Sequence, residues 1–175
     1  MSNEWIYEKV SHERSPRFVL GERGKRPLVC FGINPSTAVP EKLDRTLANV
    51  RNHSIKHGFD GWIMLNVYPE RATIFNDLTK NCNTGLHQKN IYWIKNVFSE
   101  HPKATVWAAW GGLIDKRGFL KDCLSDIVAN TPRTVRWFRR GSLVGGKHPH
   151  HPLYLKRDSG FEAFDIHHYV KAFEE

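Results

Sequence analysis

Four short apolar runs, each closed by turn-forming residues and separated by segments of helical periodicity, limit the folds open to this chain. They are Leu28-Val29-Cys30-Phe31 before Gly32, Trp62-Ile63-Met64-Leu65 before Asn66, Ala104 to Trp110 before Gly111, and Thr134 to Phe138. Runs of this length between turn signals read as buried strands. Between them, Asp44 is placed to N-cap a helix reaching about Lys56, with Leu47, Val50 and Ile55 inward. Gly85 to Glu100 gathers Leu86, Ile91, Ile94, Val97 and Phe98 on one side, and Phe119 to Ala129 carries a stripe from Leu120 to Val128. The β-α-β-α-β-α-β order predicts an α/β fold, a three-layer α/β/α sandwich around a mostly parallel four-stranded central sheet. Trp5 to Tyr7 and Arg17 to Leu20 add two short strands at an edge, and an amphipathic helix from about Phe164 to Phe173 closes the chain. Residues 70–84 hold few periodic apolar positions and read as a long functional or surface loop.

The 175 residues suit one domain, 1–175, whose core spans about 27–155 with the first strands and last helix packed on it. No run of about 18 apolar residues is present and the first residues lack a signal pattern, so a cytoplasmic protein without a membrane partner is expected. Cys30, Cys82 and Cys123 have no paired spacing, which argues against a disulfide framework, an iron–sulfur cluster or a zinc ribbon. No cofactor is expected, and Cys30 and Cys123 read as buried thiols. The net charge of +8 and the basic run of Arg133, Arg136, Arg139, Arg140 and Lys147 favour an acidic partner such as nucleic acid.

The strand ends carry the candidate chemistry, because open α/β sheets bind ligands at the carboxyl ends of their strands. In Gly32-Ile33-Asn34-Pro35-Ser36, Pro35 restricts the backbone of Asn34 and so holds its amide in one direction. Asn66 ends the second run; its amide can read the edge of a base or simply satisfy a strand-end loop. Gly111-Gly112 permits close approach of a phosphate or forms a turn. Lys147-His148-Pro149-His150-His151-Pro152-Leu153-Tyr154 is the densest chemistry in the chain. Its imidazoles can form a metal-free site that donates to a developing anion, sit on a surface loop, or bind a metal through His148, His150 and His151.

Together these segments resemble the uracil-DNA glycosylase superfamily. Gly32-Ile33-Asn34-Pro35-Ser36 is similar to its first motif, nearest the mismatch-specific branch. Met64-Leu65-Asn66 resembles the strand end whose Asn reads uracil. Trp110-Gly111-Gly112 through Lys116-Arg117-Gly118 resembles the segment between motifs, and His151-Pro152-Leu153, or in the other register His148-Pro149-His150, takes the place of the second motif. At closer range, Asn34-Pro35-Ser36-Thr37-Ala38, Asp44-Arg45-Thr46 and His151-Pro152-Leu153-Tyr154-Leu155 resemble a bacterial family, domain of unknown function 1643. The glycosylase resemblance implies a base flipped into a pocket at the strand ends. Asn34 would then orient a water and His151 would stabilise the departing base, these two being the catalytic candidates. Gly32, Ile33, Pro35, Ser36, Asn66, Tyr68, Gly111 and His148 would contact substrate, with Leu153 and Tyr154 as the wedge. It further implies a DNA-repair hydrolase bound to nucleic acid, DNA ahead of RNA. An amide cannot take a proton as a carboxylate does, so slow hydrolysis is expected, with base release tolerated or faster in Asn34→Asp and slower in His151→Ala. Two rivals stand beside this reading: a non-catalytic nucleic-acid or nucleotide binding module of the same fold, and a metal-dependent hydrolase using the three histidines.

Overall fold

Side chains along the central strands alternate between two separate cores, and that alternation defines the layers. The structure is a computed structural model that describes residues 4–8 and 16–175. In β3 (Pro27–Gly32), Val29 and Phe31 enter one core while Leu28 and Cys30 enter the other. In β4 (Gly61–Asn66), Ile63 and Leu65 oppose Trp62 and Met64, and in β5 (Thr105–Ala108), Val106 and Ala108 oppose Trp107. All of these are buried, so the strands read as continuous apolar runs in the sequence, as strands covered on both faces do.

The first core is roofed by α2 (Thr84–Glu100), α3 (Gly118–Ala129) and α4 (Ile166–Lys171), and the second by α1 (Arg45–Lys56). This is the expected α/β/α layering. The sheet, however, has seven strands, not four, in the order β1-β2-β4-β3-β5-β6-β7, where β1 is Trp5–Tyr7, β2 Leu20–Glu22, β6 Arg136–Arg140 and β7 Phe161–Ala163. The four expected strands form its parallel centre, β4-β3-β5-β6. Antiparallel β2 and then β1 extend one edge, and antiparallel β7 covers the other, so the parallel strands do not present open edges. β7 has three residues, too few for a period to show in sequence.

From β3 the chain crosses one face through α1 to β4, then returns over the other face through α2 to β5 and through α3 to β6. The connections leaving β3 and β5 therefore diverge to opposite faces, which opens a crevice at their carboxyl ends. The register places Gly32 beside Asn66 at that end of the sheet.

Asp44 caps α1 as expected, its Oδ1 accepting from Leu47 N at 2.9 Å. Ile55 does not face inward; it is exposed, and His53 and Ser54 take the inner positions of that turn. The His53 ring lies against Trp107, and Ser54 Oγ donates to Gly61 O. Cys30 and Cys123 are buried as expected, but Cys82 and Cys123, distant in sequence, bring their sulfurs within 4.0 Å. No helix among the described residues is long and apolar enough to cross a membrane.

Candidate functional site

A cavity of about 760 Å³ opens at the carboxyl ends of β3, β4 and β5. Gly32, Ile33, Asn34 and Ser36 reach it from β3, Asn66 from β4 and Gly111 from the end of β5. The returning chain closes it with His151, Leu153 and Tyr154.

Asn34 is tied down by its nitrogen. Nδ2 donates to the carbonyls of Ala72 at 3.0 Å, Pro35 at 3.1 Å and Glu70 at 3.4 Å. Three carbonyl partners fix which end of the amide is NH₂, and they leave Oδ1 without a partner among the described residues. The same bonds draw the 70–84 loop onto the cavity, where Ala72, Thr73 and Phe75 form a wall. Thr73 Oγ1 meets Ser36 Oγ at 2.8 Å. Arg117 holds the far side of the loop by donating to Asn76, Leu78 and Thr79 carbonyls, with its guanidinium 5.2 Å over the Phe75 ring. The loop is thus ordered by side chains outside it, which its own composition cannot show.

Asn66 is tied down by its oxygen. Oδ1 accepts from Arg17 Nη2 at 3.3 Å, leaving Nδ2 as the free donor of the amide. Arg17 lies on the cavity floor and is 1% exposed. Sequence reading placed Arg17 in an edge strand and missed this role; the one signal was an arginine directly before the apolar Phe18-Val19-Leu20.

His151 caps the short helical turn Pro152–Tyr154, its Nδ1 accepting from Leu153 N at 3.3 Å. With Nδ1 accepting, the neutral ring carries its proton on Nε2. Burial pushes the imidazole below its ordinary pKa, against a weaker opposing pull from Asp44, so the neutral donor form dominates at pH 7. Gly111 has φ 69°, and a Cβ there would meet His151 Cβ at 3.6 Å; the glycine lets the strand end turn beneath the histidine. Leu153 and Tyr154 are exposed at the rim, Tyr154 to 77%, with the Tyr154 ring centroid 5.6 Å from His151.

Three expected contacts are not on the cavity wall. Pro35 is buried and gives its carbonyl to Asn34 and to Ala72 N. Tyr68 lies in the core, where its hydroxyl accepts from Asn83 N at the start of α2. His148 is buried with both nitrogens committed: Nδ1 lies 2.7 Å from Tyr169 Oη and Nε2 2.8 Å from Asp115 Oδ2. Trp110 Nε1 donates to Tyr169 Oη at 3.1 Å, so the hydroxyl proton is free for His148 Nδ1, and the ring donates through Nε2 to Asp115. Lys121, then His148 and Lys147, hold the Asp115 carboxyl well below the usual carboxylate range. His148 is a structural member of that chain.

A family profile matches residues 17–153, opening on Arg17 at the cavity floor and ending on Leu153 at its rim. The chain belongs to the DUF1643 family. That family is described as protein of unknown function, so membership brings no activity with it. Searches of the curated proteins and of the solved structures return no match.

Two further expectations change in the DUF1643 chain. The basic run is not one surface patch: Arg140 is buried against Trp107 and bonded to Ser159 O, Arg139 pairs with Glu162, and Lys147 pairs with Asp115 at 3.2 Å. The histidine cluster does not assemble either. His148 turns inward while His150 and His151 line the cavity, and no three metal-ligating side chains converge among the described residues.

Proposed function

We propose that the cavity recognises a nucleobase in the manner of a uracil-DNA glycosylase, and that the chemistry available to it is slow hydrolysis of the N-glycosidic bond of a flipped base in DNA. One observation carries the reading: Asn34 and Asn66 from two adjacent strand ends and His151 from the returning chain line one cavity, each with its hydrogen-bonding polarity already set. Asn66 Nδ2 and His151 Nε2–H are donors suited to carbonyl oxygens of a base. Asn34 Oδ1 is an acceptor suited to a water positioned for attack at C1′. As the bond breaks, negative charge grows on the base, and a neutral imidazole fixed in place donates to it at no cost of reorganisation. Leu153 and Tyr154 at the rim are suited to fill the gap left by an extruded nucleotide.

Catalytic power is the weak point. Among the described residues Asp44 is the one carboxylate on the wall, and its Oδ1 is engaged by Leu47 N. An amide orients water without deprotonating it, which limits rate. That observation supports the second reading, a module of the same fold that binds a base or nucleotide in nucleic acid without cleaving it.

The deciding measurement is release of free base from duplexes and single strands carrying a broad panel of modified and deaminated bases. Release that falls at least about tenfold in His151→Ala supports hydrolysis. Binding without release from any substrate leaves the binding module, and failure of both rejects the base pocket.

A further inference from the structure

We propose that the cavity contains an oxyanion subsite, built from Arg17 and the first turn of α1, and that it takes the phosphate of a nucleotide. The identity of the oxyanion rests on the base-binding reading above; the subsite itself rests on different observations.

Arg17 is 1% exposed, and among the described residues no carboxylate lies within ion-pair distance of it. Its two hydrogen bonds are long and go to neutral acceptors, Ala38 O at 3.3 Å and Asn66 Oδ1 at 3.3 Å. Nε is buried with no partner. Arg71 adds a second guanidinium nearby, donating to the same Ala38 carbonyl at 3.2 Å. Burial lowers Arg17 to about 10, so it stays charged at neutral pH. Asp44 favours the charge from beyond ion-pair distance, but burial and the neighbouring Arg71 outweigh it; a buried cation so weakly countered is costly to hold, and in a cavity an anionic ligand offsets that cost.

The donors lie alongside. Arg45, Thr46 and Leu47, the first turn of the twelve-residue α1, all line the cavity. Asp44 Oδ1 occupies Leu47 N, which leaves the N–H groups of Arg45 and Thr46 without helical acceptors. The charged side chains on the wall are Arg17, Arg45 and Lys116 against Asp44 alone, an excess of positive charge. A volume of about 760 Å³ holds a base, sugar and phosphate together.

The test is calorimetric titration of the protein with the four common nucleosides, their 5′-monophosphates, orthophosphate and a short single-stranded oligonucleotide. Some monophosphate should bind at least about tenfold tighter than its nucleoside, a gap that narrows with added salt. Arg45→Pro removes one N–H and one cation while suiting the first helical position, and Asp44 is already extended as a residue before proline requires. It should close most of the gap, lowering monophosphate affinity several-fold more than nucleoside affinity. Arg17→Met should close the gap and also weaken the nucleoside, because Arg17 holds Asn66; if that variant does not fold, Arg45→Pro decides alone. Equal affinity for nucleoside and monophosphate overturns the subsite and spares the base reading. Orthophosphate binding that depends on Arg45, without any preference among or for nucleosides, keeps the subsite and overturns the base reading. A preference for the oligonucleotide over every monophosphate supports the subsite with polymer phosphate as its occupant, and no binding of any probe overturns both.

Discussion

Gly32 and Asn66 are register partners on adjacent parallel strands, and the missing side chain of one makes room for the amide of the other. A Cβ on Gly32 would stand 3.0 Å from Asn66 Nδ2 and 2.7 Å from Met64 Cε. Arg17 holds the opposite end of that amide. Gly32→Ala should therefore lower stability by about 1–3 kcal/mol and displace the Asn66 donor. Urea denaturation gives the first quantity. Ligand affinity measured under folding conditions gives the second, and it should fall even where the protein is fully folded. Unchanged stability would mean that the Met64 and Asn66 side chains give way without cost.

The amide of Asn34 makes opposite demands of its two ends. Replacing it with aspartate sets a carboxylate against three carbonyl oxygens that now receive Nδ2. Asn34→Asp should cost about 2–4 kcal/mol, more than Asn34→Ala, which only deletes the bonds. The loop contacts thus set a cost in stability against the base release that the glycosylase resemblance expects of the same variant. Because only the protonated carboxyl can donate there, the aspartate is raised in pKa, and the Asp variant should recover toward the Ala variant as pH falls. Chemical denaturation of both variants from neutral to acid pH checks the order and the convergence.

His148 and His151 should separate cleanly. His148→Phe breaks the bonds to Tyr169 and Asp115 and should lower stability by about 1–3 kcal/mol while leaving ligand affinity intact. His151→Ala should change stability by less than about 1 kcal/mol and weaken binding or base release at least about tenfold. Thermal melts and binding measured on the same two preparations would show the crossing; loss of binding in His148→Phe with retained stability would reverse the assignment.

Acid should loosen the fold through His53. Burial, then the nearby Arg140, lowers its pKa from 6.5 to about 4. Between these values the unfolded chain binds the proton and the native protein does not, so the contribution is complete above about pH 6.5 and is lost as pH falls toward 4. Its size is on the order of 3 kcal/mol. Urea midpoints at pH 7, 6 and 5 should decline in the parent protein and decline less in His53→Phe, which keeps an aromatic ring against Trp107. Identical slopes would remove His53 from the account.

The parallel centre of the sheet was legible because burial on both faces leaves uninterrupted apolar runs, and Asp44 because a cap is a local signal. Asn34, Asn66 and His151 were legible because Asn34 and His151 each stand directly before a proline and Asn66 ends an apolar run. Arg17 was not, since its meaning depends on Asn66, forty-nine positions away. Tyr68 and His148 misled for a related reason: both stand beside cavity residues in sequence, but one turns to Asn83 and the other to Asp115. The contacts of the basic run were not legible, because charge in a sequence does not show which arginines will meet Glu162 or the face of Trp107.

Arg17 stands near one end of the chain and Tyr154 near the other, yet both border one cavity. No stretch shorter than 17–154 holds the whole perimeter, so the site exists only when the central sheet and the chain across it have folded together. Occupancy is then coupled to global unfolding rather than to the motion of a loop. A true ligand at a hundred times its Kd should raise the free energy of unfolding by about 2.7 kcal/mol. The melting temperature of the intact protein becomes a screen for that ligand, with no need to know the reaction beforehand.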